Sequence, residues 1–60
     1  SVQAHINMGE VLTSQGKLDK AVKHYLEVIK IDPSHETAHF NLGVSLAKQD
    51  KKSKAINLLT

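Results

Sequence analysis

Cysteine, tryptophan and arginine are absent from this 60-residue chain, and only one proline and three glycines punctuate it. Without cysteine there is no disulfide and no thiolate metal site. That is compatible with a reducing compartment such as the cytoplasm, but the compartment itself stays open. Tyr25 and Phe40 are the only aromatics. With no arginine forks and almost no stacking rings, the net charge of +2 is a weak basis for nucleic-acid binding, and none is expected. No apolar run approaches the roughly 20 residues that span a bilayer, so no membrane contact is expected of this segment. No signal-peptide pattern or N-x-S/T sequon appears. A chain this short buries only about 60% of its unfolded surface, and one small domain is the most it can form.

Sliding the sequence against itself by 34 positions brings out a repeat. Residues 1–26 then lie over 35–60, and nine pairs are identical: Ala4/Ala38, His5/His39, Asn7/Asn41, Gly9/Gly43, Leu12/Leu46, Gln15/Gln49, Lys17/Lys51, Lys20/Lys54 and Ala21/Ala55. Ile6/Phe40, Met8/Leu42 and Val22/Ile56 are apolar on both sides. Chance would supply one or two identities, so a 34-residue unit is present.

Each unit reads as two helices. Ser1 is placed to cap the first, whose Ala4, Met8, Val11 and Leu12 keep helical spacing. Gly16 supplies a turn. Leu18, Ala21, Val22, Tyr25, Val28 and Ile29 follow the i, i+3, i+4, i+7 pattern of a second amphipathic helix. Asp32-Pro33-Ser34 ends it, because the residue before proline is pushed out of the α region. Ser34 is expected to cap a third helix with Glu36 in its first turn, running to about Gln49, and a fourth begins near Lys52. The charged stretch from Lys48 to Lys54 reads as a solvated turn and helix start. No strand pattern appears.

These residues resemble the tetratricopeptide repeat. Residues 2–35 look like one complete unit and 36–60 like a second that lacks its last nine positions, carried by Asn7-Met8-Gly9, Leu12, Gly16, Ala21, Tyr25 and Asp32-Pro33, then Asn41-Leu42-Gly43, Leu46 and Ala55. The resemblance implies an all-α fold of antiparallel helical hairpins stacked as a right-handed superhelix, with about four helices here. The departures are His5 and His39 where the family often has a large aromatic, Val28 for alanine, Asp50 in place of Gly16 and Lys52 in place of Leu18. They predict a looser second turn and a less firmly anchored fourth helix.

One motif points elsewhere. His35, Glu36 and His39 spell H-E-x-x-H, the pattern in which two histidines hold zinc and the glutamate polarises water. Catalytic zinc needs a third protein ligand, and downstream of His39 stand no histidine and no glutamate; the place where the extended pattern has histidine is Ser45. His39 also recurs as His5, where neither the first histidine nor the glutamate accompanies it. A packing role in the repeat is therefore expected, with no metal, cofactor or catalytic residue. Ser14 and Ser45 lack a nucleophile elbow, the glycines form no phosphate loop, and Glu10 and Asp19 have no acid–base spacing. His24, between charged neighbours, is expected to be exposed.

The resemblance implies a concave groove lined by the first helix of each unit: Gln3, Ile6, Asn7, Glu10 and Thr13, then Thr37, Phe40, Asn41, Val44 and Lys48. Asparagine amides both donate and accept, so Asn7 and Asn41 can grip an extended peptide backbone. The other reading is that asparagine is simply common at that place. A carboxylate clamp would want lysines where Ile6 and Phe40 stand. The expectation is a non-enzymatic protein-interaction module, cut from a longer superhelix, that binds a peptide or partner helix. The alternative is a structural spacer or self-association segment of a larger repeat-bearing enzyme such as a glycosyltransferase. No capping helix is expected to cover Ala38, Leu42, Leu46, Ile56 and Leu59. The isolated chain is therefore expected either to self-associate, a homodimer by domain swap being one route, or to be only partly folded.

Overall fold

The computed structural model describes residues 1–59, with no side-chain account of Leu59, and these form three helices and no strand: α1 (Val2–Ser14), α2 (Leu18–Ile31) and α3 (Glu36–Leu59). Ser1 caps α1 as expected, its hydroxyl accepting from the Ala4 amide at 3.1 Å. At the other end the chain reverses through a Schellman turn. Gly16 takes φ +79°, Lys17 N–H donates to Leu12 C=O at 2.8 Å, and Gly16 N–H donates to Thr13 C=O at 3.0 Å. The two carbonyls left over by the helix are thereby satisfied, and only glycine adopts that φ without strain.

The α2 stripe is buried as its spacing predicts. Leu18, Ala21, Tyr25 and Val28 are inside, with Val22 and Ile29 half-buried. Asp32 ends the helix in an extended conformation before Pro33, and its N–H donates to Val28 C=O at 2.8 Å. The passage to α3 differs from the sequence reading. Ser34 does not cap α3; its amide and hydroxyl both donate to the Asp32 carboxylate, at 3.3 and 3.1 Å, inside a turn closed by His35 N–H on Asp32 C=O. His35 takes over as cap, its Nδ1 accepting from the Ala38 amide at 3.2 Å. An imidazole nitrogen here does what a serine oxygen usually does.

Two clusters make the core. Ile6, Val28 and Ala38 meet at one end with Val2 and Ile29 against them; Leu12, Ala21 and Tyr25 meet at the other with Leu42 against them. Each cluster draws on all three helices, so α3 closes the α1–α2 hairpin into a three-helix unit. At α1 the expected stripe is shifted: Ile6, Gly9 and Leu12 face inward, while Met8 and Val11 are about half exposed and Ala4 is exposed. Gly9 replaces a side chain that would collide with the Tyr25 ring. Buried Ser45 joins α3 to α1 through Thr13, with the two hydroxyl oxygens 3.0 Å apart and Thr13 donating onward to Gly9 C=O at 2.8 Å.

The second difference is larger. The helix does not stop near Gln49 and restart near Lys52; α3 is continuous through all 24 of its residues. The first unit turns because Gly16 reaches a positive φ and Leu18 is drawn into the core. Asp50 lacks that freedom and Lys52 lacks that attraction. Asp50 instead pairs with Lys54 one helical turn on, at 3.2 Å, which supports helix through the expected break. Leu46, Ile56 and Leu58 consequently stand 46%, 52% and 88% exposed. The expectation for Leu59 as a packing residue, and the second unit's last residue Thr60, lie outside the described side chains.

Candidate peptide-binding groove

First helices of successive units are α1 and the N-terminal half of α3, and the side chains they share lie one repeat apart. Between them, five of the ten sequence-predicted groove residues come together. Glu10 and Thr13 of α1 and Asn41, Val44 and Lys48 of α3 line a hollow of about 240 Å³, closed by Ser14 and Tyr25. Its lining brings together a carboxylate from α1, an amide, a valine and an ammonium from α3, and an aromatic ring from α2. Chemically the set offers hydrogen-bonding groups, a short apolar contact and charges of both signs.

Gln3, Asn7, Thr37 and Phe40 are exposed but do not line this hollow. Gln3 Nε2 donates to Asn7 Oδ1 at 2.9 Å, so the two amides hold one another along α1. Phe40 is 71% exposed. Ile6 is a correction: it is 2% exposed and packs with Val28 and Ala38. Its position faces α2 and the start of α3, so it serves the core and offers nothing to a ligand. Asn41 is half-buried at the hollow while Asn7 is exposed on a different stretch of α1, so the two asparagines are not equivalent in their surroundings.

The histidines of H-E-x-x-H do not converge. His35 Nδ1 caps α3, and His39 Nε2 lies 2.7 Å from Pro33 C=O, to which it donates. Each ring thus has a nitrogen engaged in building the inter-unit turn, and among the described residues no three His, Asp or Glu side chains gather as a ligand set. His24 is also a correction. It is half-buried, and its Nδ1 lies 3.0 Å from Nδ1 of His5, with ring centroids 5.2 Å apart. At that separation one Nδ1 donates to the other, and which of them donates follows from the tautomers the two rings adopt. Nothing in the repeat marks this contact beforehand, because His5 recurs as His39 but His24 is matched by Leu58.

An antiparallel helix hairpin closed by the first helix of a second unit, with the two first helices framing a shared hollow, defines a helical-repeat interaction module. The family model for the TPR repeat matches residues 9–50, and the chain belongs to the tetratricopeptide repeat family. No solved structure matches it significantly.

Proposed function

We propose that this chain acts by binding, without catalysis, and that an extended or helical segment of a partner protein lies across α1 and α3 with an apolar side chain against Val44. The observation that carries the reading is the hollow in which Glu10, Thr13, Asn41, Val44 and Lys48 meet. Ile6 takes no part. A partner backbone bonds to the Asn41 amide, and Glu10 and Lys48 select its flanking charges.

In this reading the unit stacks with others as an array. The exposed row Ala4, Met8 and Val11 on α1 stands, one repeat away, where Ala38, Leu42 and Ser45 of α3 stand. Ala38 and Leu42 of that row pack against side chains of α2. The same surface on α1 is suited to a second helix of the same kind, and continued stacking generates the superhelix.

A capture experiment tests the groove. Asn41→Ala and Val44→Asp are expected to lose a partner that the unaltered chain retains from extract, and Asn7→Ala to keep it. Retention by Val44→Asp, with its melting temperature unchanged, removes the hollow as the binding surface.

A further inference from the structure

A cavity larger than the groove hollow lies elsewhere. Between the first turn of α2 and the C-terminal half of α3 is a cleft of about 550 Å³, within the roughly 300–1,000 Å³ range of ligand sites, and it shares no lining residue with the groove. It exists because α3 continues past Asp50 and carries its last turns alongside the α1–α2 turn.

The cleft is chemically one-sided. Exposed Lys17, Lys20 and Lys52 rim it, against a single carboxylate, Asp19. Three cations less one anion leave +2, which equals the net charge of the whole chain. The Asp19 carboxylate also accepts from the Gln49 side-chain amide across the cleft, which ties α3 to α2. Ile56, half exposed, gives the cleft an apolar wall. Neither Tyr25 nor Phe40 lines it, and the chain has no arginine, so bases would find nothing to stack on and no guanidinium fork.

We infer that this cleft is a second docking site, for an acidic segment of a partner protein in which carboxylates flank an aliphatic side chain. The carboxylates meet Lys17, Lys20 and Lys52, and the aliphatic side chain rests on Ile56. Exposed charges of this kind act over about 8 Å at physiological ionic strength, so the attraction weakens as salt rises. The site does not depend on the groove reading.

Fluorescence anisotropy with two labelled peptides tests it: glutamates flanking a central leucine, and the same peptide with glutamine for each glutamate. The glutamate peptide is expected to bind saturably, and the glutamine peptide at least about tenfold more weakly, a difference that salt reduces. Lys17→Glu and Lys52→Glu, both solvent-exposed changes, are each expected to weaken binding several-fold, Ile56→Asn likewise, and Lys48→Glu in the groove to leave it within about twofold. Absence of binding up to millimolar peptide overturns the proposal, as does equal affinity for the glutamine peptide or indifference to Lys52→Glu. Equal loss in Lys48→Glu moves the site to the groove. Tighter binding of a uridine oligonucleotide than of the peptide assigns the lysines to nucleic acid instead.

Discussion

The ring of Tyr25 lies over the bare Cα of Gly9, so close that a β-carbon built there would stand 2.5 Å from the ring. One repeat later, a β-carbon on Gly43 would meet nothing within 4 Å. The same residue at the same place in the repeat has opposite surroundings. In the first unit α2 folds back over the glycine; in the second, α3 runs straight on.

Opposite effects of one substitution follow. Gly9→Ala is expected to destabilise by about 1–3 kcal/mol, because the added methyl overlaps the ring of Tyr25, which is itself only 1% exposed. Gly43→Ala is expected to stabilise by about 0.5–1 kcal/mol, the ordinary helix-propensity gain at an open position. Urea midpoints measure both. Two changes of the same sign would show that the glycines have like surroundings.

Gly16 fails for a different reason. No atom lies within 4 Å of its hypothetical β-carbon, yet its φ is +79°. Gly16→Ala is expected to cost about 1–2 kcal/mol through backbone strain alone, with Gly16→Asn milder, since asparagine tolerates the left-handed region. If alanine and asparagine cost the same, the turn has rearranged.

The cap of α3 separates His35 from Ser34. His35→Ala removes the acceptor for the Ala38 amide and is expected to cost about 0.5–2 kcal/mol. Ser34→Ala, in an exposed turn, is expected within about 0.5 kcal/mol of the unaltered chain. Thermal melts that rank the two the other way restore serine as the cap.

The histidine pair lends itself to a double-mutant cycle. His5→Ala and His24→Ala, singly and together, in mildly alkaline buffer, are expected to show a coupling of about 0.5–1.5 kcal/mol, the net worth of one hydrogen bond. Additive losses would mean that the two rings are neighbours without a bond.

These residues show what was legible in the sequence. The 34-residue period, the Gly16 turn and the α2 stripe rest on local spacing, and spacing survives folding intact. Ile6 was not legible, because a helix offers several faces and only the packing of α2 and α3 decides which one is inner. His35 as cap was hidden behind Ser34, the stronger capping residue by propensity, until the Asp32 carboxylate took its hydroxyl. His24 met His5 across the hairpin at positions that no periodicity links. That Glu10, Thr13, Asn41, Val44 and Lys48 line one hollow accords with their places in the repeat, whereas the cleft beside α2 depends on α3 running straight, which the period argues against.

That straightness makes the last prediction. The second unit lost two signals that turn the first, glycine at position 50 and an apolar anchor at 52, and gained the Asp50–Lys54 pair in their place. Asp50→Gly with Lys52→Leu returns both signals and removes the pair. A break near residue 50 is then expected, seen as loss of sequential helical amide contacts by NMR between residues 48 and 53. The straight helix also leaves Leu46 and Ile56 about half exposed and Leu58 88% exposed, and fully burying a side chain as exposed as Leu58 contributes about 1.5–3 kcal/mol. The unaltered chain is therefore expected to self-associate on concentration, and the double variant to do so less, because residues 52–59 become free to cover Leu46. Sedimentation equilibrium decides between the outcomes. A variant that stays helical through residue 50 and associates as before would show that α3 is held straight by its packing on α2 and not by Asp50 and Lys52.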